Sequence, residues 1–174
     1  RMDDFSTIAG VVLAGGRSSR MGQNKALLDY RGKPLIEHMM EILKKTGIKE
    51  IFISGDVDGY DCLSDQEPFT GPAEAIKSII KRLSGYAGFL FVPVDMPLLK
   101  PDMLHLLLQQ KEGGYFIDWP LPAFMTPPYQ QSEKTSVQGL LDDYGIYPVA
   151  LPGHFSFSMK NANTPQDWAE VINP

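Results

Sequence analysis

The chain has 174 residues, enough for one α/β domain with a substantial core and too few for two comfortable ones. Its formal net charge is −5, with 43% hydrophobic and 21% charged residues. Those values exclude extended disorder and a general binder of nucleic acid or anionic membranes, so any polyanionic ligand needs a local basic pocket. The single cysteine, Cys62, cannot form an intramolecular disulfide and fits a reducing compartment. No apolar run approaches the length of a membrane span, and the first residues lack a signal-peptide pattern, so the expected location is cytoplasmic.

Residues 8–14 read as a buried strand, followed by a polar, glycine-containing loop over 15–24. Leu35, Ile36, Met39, Ile42 and Leu43 recur at helical spacing, which predicts a helix over 34–45 with Gly47 as its stop. A short strand follows at 51–53, then an acidic loop over 54–70 with strand character near Leu63. A second helix is predicted over 72–83. The apolar run 89–94 is a strand ending in Asp95, with Pro93 marking a break in pairing beside a site. A third helix is expected over 101–110, a strand over 115–117, and loop or edge over the proline-rich stretch 119–129. A helix over 134–144 and a strand over 147–151 precede a last helix capped by Thr164, with Pro165 at its first position. Alternating strands and helices imply parallel βαβ units, and such sheets bind ligands beyond the carboxyl ends of their strands.

The chemically loaded stretch is LAGGRSSRMGQNK, directly after the first strand. Gly15 and Gly16 allow a tight turn that points N–H groups at an anion. Arg17, Arg20 and Lys25 concentrate positive charge in the same loop, and Ser18 and Ser19 add donors. Two glycines alone suit an ordinary turn; the cations behind them point to phosphate. Neither a Walker A loop nor a G-x-G-x-x-G fingerprint is present.

Asp95 shares the strand edge with this loop, where a carboxylate can hold Mg²⁺ beside phosphates. Asp56, Asp58 and Asp61 resemble a calcium-loop fragment, but the glycine is misplaced, and they read as a solvated loop. Asp65, just before Phe69-Thr70-Gly71-Pro72, is the better ligand candidate. The histidines His38, His105 and His154 have no metal-binding spacing. Asn161 and Asn163 bracket one alanine, so an extended segment turns both amides to one side.

Together LAGGRSSRMGQNK, GKPLIEH, the FTGP turn, FLFVPVDMPLL and NANTPQD resemble the molybdenum cofactor guanylyltransferase family, in its order and near its spacings, from Ile8 to Trp168. The resemblance implies one nucleotidyltransferase domain over 1–174, with a nucleotide-binding part at 6–110 and an acceptor-side part at 111–174. It implies a three-layer α/β/α Rossmann-like sandwich with a mostly parallel sheet, of the nucleotide-diphosphosugar transferase type. The implied reaction takes GTP and molybdenum-bound molybdopterin to molybdopterin guanine dinucleotide and pyrophosphate. Mg²⁺ is the implied cofactor, and molybdoenzymes or cofactor-insertion proteins the implied partners of the product.

By the same resemblance, Leu13, Ala14, Gly15, Gly16, Lys25, Ser54, Asp65, Gly71 and Asp95 are nucleotide-contacting positions. Arg20, Lys25 and Asp95 are the implied catalytic positions, Asp95 is the metal ligand, and Asn161 and Asn163 lie near the acceptor. Relatives often carry Asn where this chain has Ser54, and many carry His-Pro-Leu where it has Trp119-Pro120-Leu121, in a region that the resemblance implies helps form the molybdopterin side of the cleft. The readings left beside this one are a cytidylyl- or other nucleotidyltransferase with a different phosphorylated acceptor, and a non-catalytic nucleotide-binding protein.

Overall fold

Strand β1 (Ile8–Leu13) is buried along its whole length, and its side chains alternate between two separate cores. Ile8 and Val12 point into one; Ala9, Val11 and Leu13 point into the other. Strand β5 (Gly88–Pro93) behaves the same way, with Leu90 and Val92 against Phe89 and Phe91. A period of two with apolar residues on both faces is what a strand covered by helices on both sides requires.

The computed structural model describes residues 7–15, 25–64 and 71–174. With β4 (Glu50–Ser54), β6 (Gly114–Phe116), β7 (Trp119–Met125) and β8 (Pro148–Val149), the strands form one sheet in the order β4-β1-β5-β7-β6-β8. Helices α1 (Leu35–Lys45), α3 (Pro101–Leu108) and α5 (Pro165–Ile172) contribute to the core on one face. Helices α2 (Pro72–Arg82) and α4 (Val137–Asp143) contribute to the core on the other. The expected three-layer α/β/α sandwich is therefore observed. Pairing is parallel for β1–β4, β1–β5 and β6–β8, and antiparallel where β7 meets β5 and β6.

Of the stretch 119–129 expected to be loop or edge, residues Trp119–Met125 form instead the interior strand β7, and only 126–129 lie outside any strand. Its prolines are tolerated because only Ala123, Phe124 and Met125 pair with β5, leaving Pro120 and Pro122 on the irregular part toward the sheet's edge. Pairing of β5 with β7 stops at Phe91, two residues before Pro93, as a proline there requires. Helix α4 begins three residues later than the pattern suggests, because the Ser136 hydroxyl accepts the Gly139 N–H and caps it there. The strand expected over 147–151 shrinks to Pro148–Val149. A small hairpin of β2 (Asp29–Tyr30) and β3 (Lys33–Pro34) turns through Arg31 and Gly32, both at positive φ.

The histidines on the helices are structural. His105 bonds the Thr46 carbonyl at 2.8 Å, and His38 bonds the Pro97 carbonyl at 2.7 Å, tying α1 to the segment just past Asp95. Burial holds the His38 imidazole below its ordinary pKa of 6.5, against the Pro97 bond, which pulls it up. A depressed histidine stabilises the fold above its unfolded pKa and loses that contribution as pH falls through the folded value. The melting temperature of wild type is expected to drop more steeply below pH 6.5 than that of His38→Gln, which keeps a donor but cannot charge. Parallel melting curves across that range would remove His38 as the cause.

Candidate functional site

Parallel pairing brings three strand ends to one edge. Leu13 is in register with Ser54 of β4 on one side and with Pro93 of β5 on the other. Backbone bonds seal the edge: Ala14 N–H donates to the Ser54 carbonyl at 2.8 Å, and Val94 N–H to the Leu13 carbonyl at 3.1 Å. Beyond it lies a cleft of about 370 Å³. Its floor is Leu13, Ala14 and Gly15, with Ser54 on the β4 side and Gly71, Pro72 and Ala75 at the start of α2. Lys25 and Ala26 enter from the short 3₁₀ turn Lys25–Leu27. Val94, Asp95 and Met96 follow β5, and Trp119, Pro120, Leu121 and Asn161 close the far side.

The charged centre is compact. The Lys25 Nζ lies 3.9 Å from Asp95 Oδ2 and donates to Asn163 Oδ1 at 3.0 Å. Burial pushes the Asp95 carboxyl above its ordinary pKa, and the Lys25 ammonium pulls it partly back. The 161–163 segment is fixed by main-chain contact, since Ala162 N–H donates to the Asp95 carbonyl at 2.7 Å and the Ala162 side chain is fully buried. With Ala162 turned inward, Asn161 reaches the cleft and Asn163 reaches Lys25, so the alternation expected from the sequence is observed. Thr164 caps α5 by accepting the Asp167 N–H, and the Asp167 carboxylate accepts the Asn163 N–H.

Of the positions expected from the sequence, Leu13, Ala14, Gly15, Lys25, Ser54, Gly71, Asp95 and Asn161 line this one cleft, and Asn163 stands one hydrogen bond behind Lys25. Gly16, Arg20 and Asp65 lie outside the described residues. Asp56, Asp58 and Asp61 are exposed, as a solvated loop should be. The sequence reading missed Gly55. At φ +123°, a Cβ on it would come within 2.7 Å of the Gly15 nitrogen, so the loop after β4 packs directly beneath the cleft floor. The resemblance put Trp119-Pro120-Leu121 on the acceptor side of the cleft, and these residues do line it, brought there by the antiparallel return of β7.

Among the described residues no group of three or more metal-ligating side chains occurs. Asp95 is the one carboxylate among the described residues lining the cleft. A single carboxylate completed by phosphate oxygens and water is a donor set Mg²⁺ takes beside nucleotides, so the residues present fit a nucleotide-borne ion. No helix of the described residues is long and apolar enough to cross a membrane.

Comparison with known proteins agrees with this architecture. The MobA-like NTP transferase domain matches residues 10–121. The chain is 34% identical to the molybdenum cofactor guanylyltransferase of Xanthomonas euvesicatoria pv. vesicatoria (strain 85-10), over 94% of each protein. It is also 34% identical to the probable molybdenum cofactor guanylyltransferase of Rhodopirellula baltica, over 82% of this chain and 69% of that one. Its fold is similar to that of Rv0371c from Mycobacterium tuberculosis H37Rv, with TM-score 0.76, 19% identity, and 99% and 100% of the two chains covered. It is likewise similar to molybdopterin-guanine dinucleotide biosynthesis protein A from Archaeoglobus fulgidus, with TM-score 0.66, 18% identity, and 94% and 96% covered. Sequence match and strand-edge cleft together make the chain a nucleotidyltransferase that belongs to the MobA-like NTP transferase family.

Proposed function

We propose that the chain transfers GMP from GTP to molybdenum-bound molybdopterin, giving molybdopterin guanine dinucleotide and pyrophosphate. The observation that carries this reading is the convergence of Lys25, Asp95 and Asn161 at one end of the Leu13–Gly15 floor, in a chain 34% identical to a molybdenum cofactor guanylyltransferase over 94% of its length.

An oxygen of the acceptor's terminal phosphate attacks the α-phosphorus of GTP. A new P–O bond forms as the bond to the β-phosphate bridging oxygen breaks, and pyrophosphate leaves with that electron pair. A phosphate monoester has a second pKa of about 6 and is largely dianionic at neutral pH, so the nucleophile needs no general base. The absence of any histidine from the cleft lining of the described residues is compatible with that chemistry. Catalysis then rests on positioning and charge stabilisation.

The main-chain turn at Ala14 and Gly15 cradles the nucleotide, with Ser54 and Gly71 on its flank. Lys25 offsets charge on the α-phosphate, and Asn163 holds its ammonium toward the cleft. Asp95 would hold Mg²⁺, which supplies charge neutralisation to the triphosphate when bound. Arg20, outside the described residues, is a further phosphate-binding candidate by the sequence resemblance alone.

Isothermal titration with GTP, CTP and ATP, with and without Mg²⁺, tests the nucleotide half. GTP is expected to bind at least tenfold more tightly than CTP, with affinity that falls when Mg²⁺ is removed. A preference for CTP would move the chain to cytidylyl transfer.

A further inference from the structure

Lys25 and Asn163 are 138 positions apart, so the bond between their side chains depends on the elements that carry each of them. Lys25 opens the 3₁₀ turn Lys25–Leu27, which runs directly into the β2–β3 hairpin. Leu28 N–H donates to the Lys25 carbonyl at 3.1 Å, and Leu35 N–H closes the hairpin's base on the Leu28 carbonyl at 2.9 Å. The hairpin grips the far end of α5. The buried Tyr30 donates its hydroxyl to the Val171 carbonyl at 3.3 Å, and the Arg31 guanidinium donates to the Ile172 carbonyl at 3.2 Å. Both are last-turn carbonyls that no N–H within the helix can satisfy, and a cation suits that end of the helix dipole. The Trp168 ring meets the Tyr30 ring edge-on, with centroids 6.0 Å apart.

The near end of α5 carries Asn163. Asp167 N–H donates to the Thr164 hydroxyl at 3.1 Å, and Asp167 Oδ2 accepts the Asn163 N–H at 3.3 Å. The other carboxylate oxygen faces Lys160 Nζ at 3.4 Å, and that ammonium also reaches Glu170 Oε2 at 2.9 Å. The Asn163 main chain is therefore fastened to the first turn of α5, and its amide oxygen accepts from Lys25 at 3.0 Å. At 1.5 Å per residue the helix spans roughly 12 Å. A closed circuit results, running from Lys25 through the hairpin and along α5 to Asn163 and back to Lys25. A lysine side chain has several rotatable bonds, and holding its ammonium in place before reaction removes that freedom in advance.

We infer that α5 is a positioning helix for Lys25, with Asp167 holding Asn163 against the lysine ammonium and Tyr30 locking the far end of the helix to the hairpin that follows Lys25. Neither Asp167 nor Tyr30 lines the cleft, so both act through Lys25. The inference rests on the proposed reaction in one respect, that Lys25 there offsets charge on the α-phosphate.

The test has two arms, both on the whole chain. In the first, pyrophosphate release from GTP with molybdenum-bound molybdopterin is measured for Asp167→Ala, Lys25→Ala and the double variant, beside thermal unfolding of each. Asp167→Ala is expected to lower kcat about 10-fold when Lys25 is present and less than about twofold when Lys25 is already Ala, while lowering the melting temperature equally in both backgrounds. Asp167→Asn, which keeps an oxygen for the Asn163 N–H, is expected to stay within about threefold of wild type. Tyr30→Phe keeps the ring and loses only the bond to Val171; its kcat should fall about threefold, again only when Lys25 is present. Equal losses in both backgrounds are what a purely structural role gives, and they overturn the inference. In the second arm the ligand-free chain is acetylated with an N-hydroxysuccinimide ester, and the rate at each lysine is mapped by peptide mass. Lys25 is expected to react at least about threefold faster in Asp167→Ala and in Tyr30→Phe, with the rate at the exposed Lys44 unchanged. An unchanged rate at Lys25 overturns the inference. The second arm needs no turnover, so a faster Lys25 in a chain whose turnover is indifferent to Lys25→Ala sinks the proposed role of Lys25 and leaves the positioning helix standing.

Discussion

Asp95→Asn is expected to lower turnover with GTP and Mg²⁺ by roughly 10²–10³-fold, the scale seen when one preorganised electrostatic group is removed from a reaction centre. The fold should survive it. The main-chain bond from Ala162 N–H to the Asp95 carbonyl does not involve the side chain, and Asn has nearly the same shape. Stability separates a chemical role from a structural one. Burial raises the Asp95 carboxyl pKa, so the folded chain holds that proton more tightly than the unfolded chain does. The sign follows: the cost of burying the charge is absent below the ordinary carboxylate pKa and is fully present once pH has risen through the folded value. At pH 7 wild type carries that cost, and Asp95→Asn does not. Ligand-free Asp95→Asn should therefore melt at the same temperature as wild type or higher at pH 7, with the difference closing as pH falls into the carboxylate range. Thermal unfolding beside pyrophosphate release reads both quantities. A lower melting point with a matching loss of activity would make Asp95 a structural residue. A carboxylate retained at a cost to stability is what a site kept for its charge looks like.

The same residues explain why part of this molecule could be read from the chain and part could not. Strands β1 and β5 were legible because each is apolar on both faces, a pattern only a helix-covered interior strand produces. Parallel βαβ order then placed the ends of β1, β4 and β5 on one edge, which brought Leu13, Ser54 and Asp95 together before any coordinates were needed. Asn161 and Asn163 were legible through the alternation about buried Ala162. Strand β7 was not, because proline content argues against an interior strand, and the condition that rescues it is that only its last three residues pair with β5. No periodicity encodes that condition. The 3₁₀ segment Gly153–Met159 and the hairpin at Asp29–Pro34 were missed because each is too short for a hydrophobic period to register. Trp119 was placed at the cleft by resemblance alone; the physical reason it lies there, the antiparallel return of β7, is a fact of tertiary pairing rather than of local sequence.

Gly55→Ala is the substitution expected to damage fold and site together, by about 2–5 kcal/mol of stability and at least tenfold in GTP affinity. Gly55 sits at φ +123°, where an L side chain is strained whatever space surrounds it. Space is also lacking: an added Cβ would lie 2.7 Å from the Gly15 nitrogen, 2.8 Å from its Cα and 2.9 Å from the Ala14 carbonyl carbon. All three are main-chain atoms, so no flexible side-chain end can swing aside. The clash must be relieved by moving either the loop after β4 or the cleft floor. The loop is held by Gly55 N–H to the Leu63 carbonyl at 3.0 Å and Leu63 N–H to the Ile53 carbonyl at 2.7 Å. The floor is held by Ala14 N–H to the Ser54 carbonyl at 2.8 Å. Moving either one loosens main-chain bonds that set the position of Ala14 and Gly15, where the nucleotide is proposed to lie. Denaturant unfolding and GTP titration on the same preparation measure the two losses. Gly59→Ala is the control: it too has positive φ, but nothing lies within 4 Å of its added Cβ, so it should show the backbone strain of about 1–2 kcal/mol and no change in GTP affinity. If Gly55→Ala behaved like Gly59→Ala, the contact beneath the floor would have no bearing on the cleft. A stability loss several-fold larger, accompanied by weakened GTP binding, would establish that the loop after β4 sets the shape of the nucleotide floor from below.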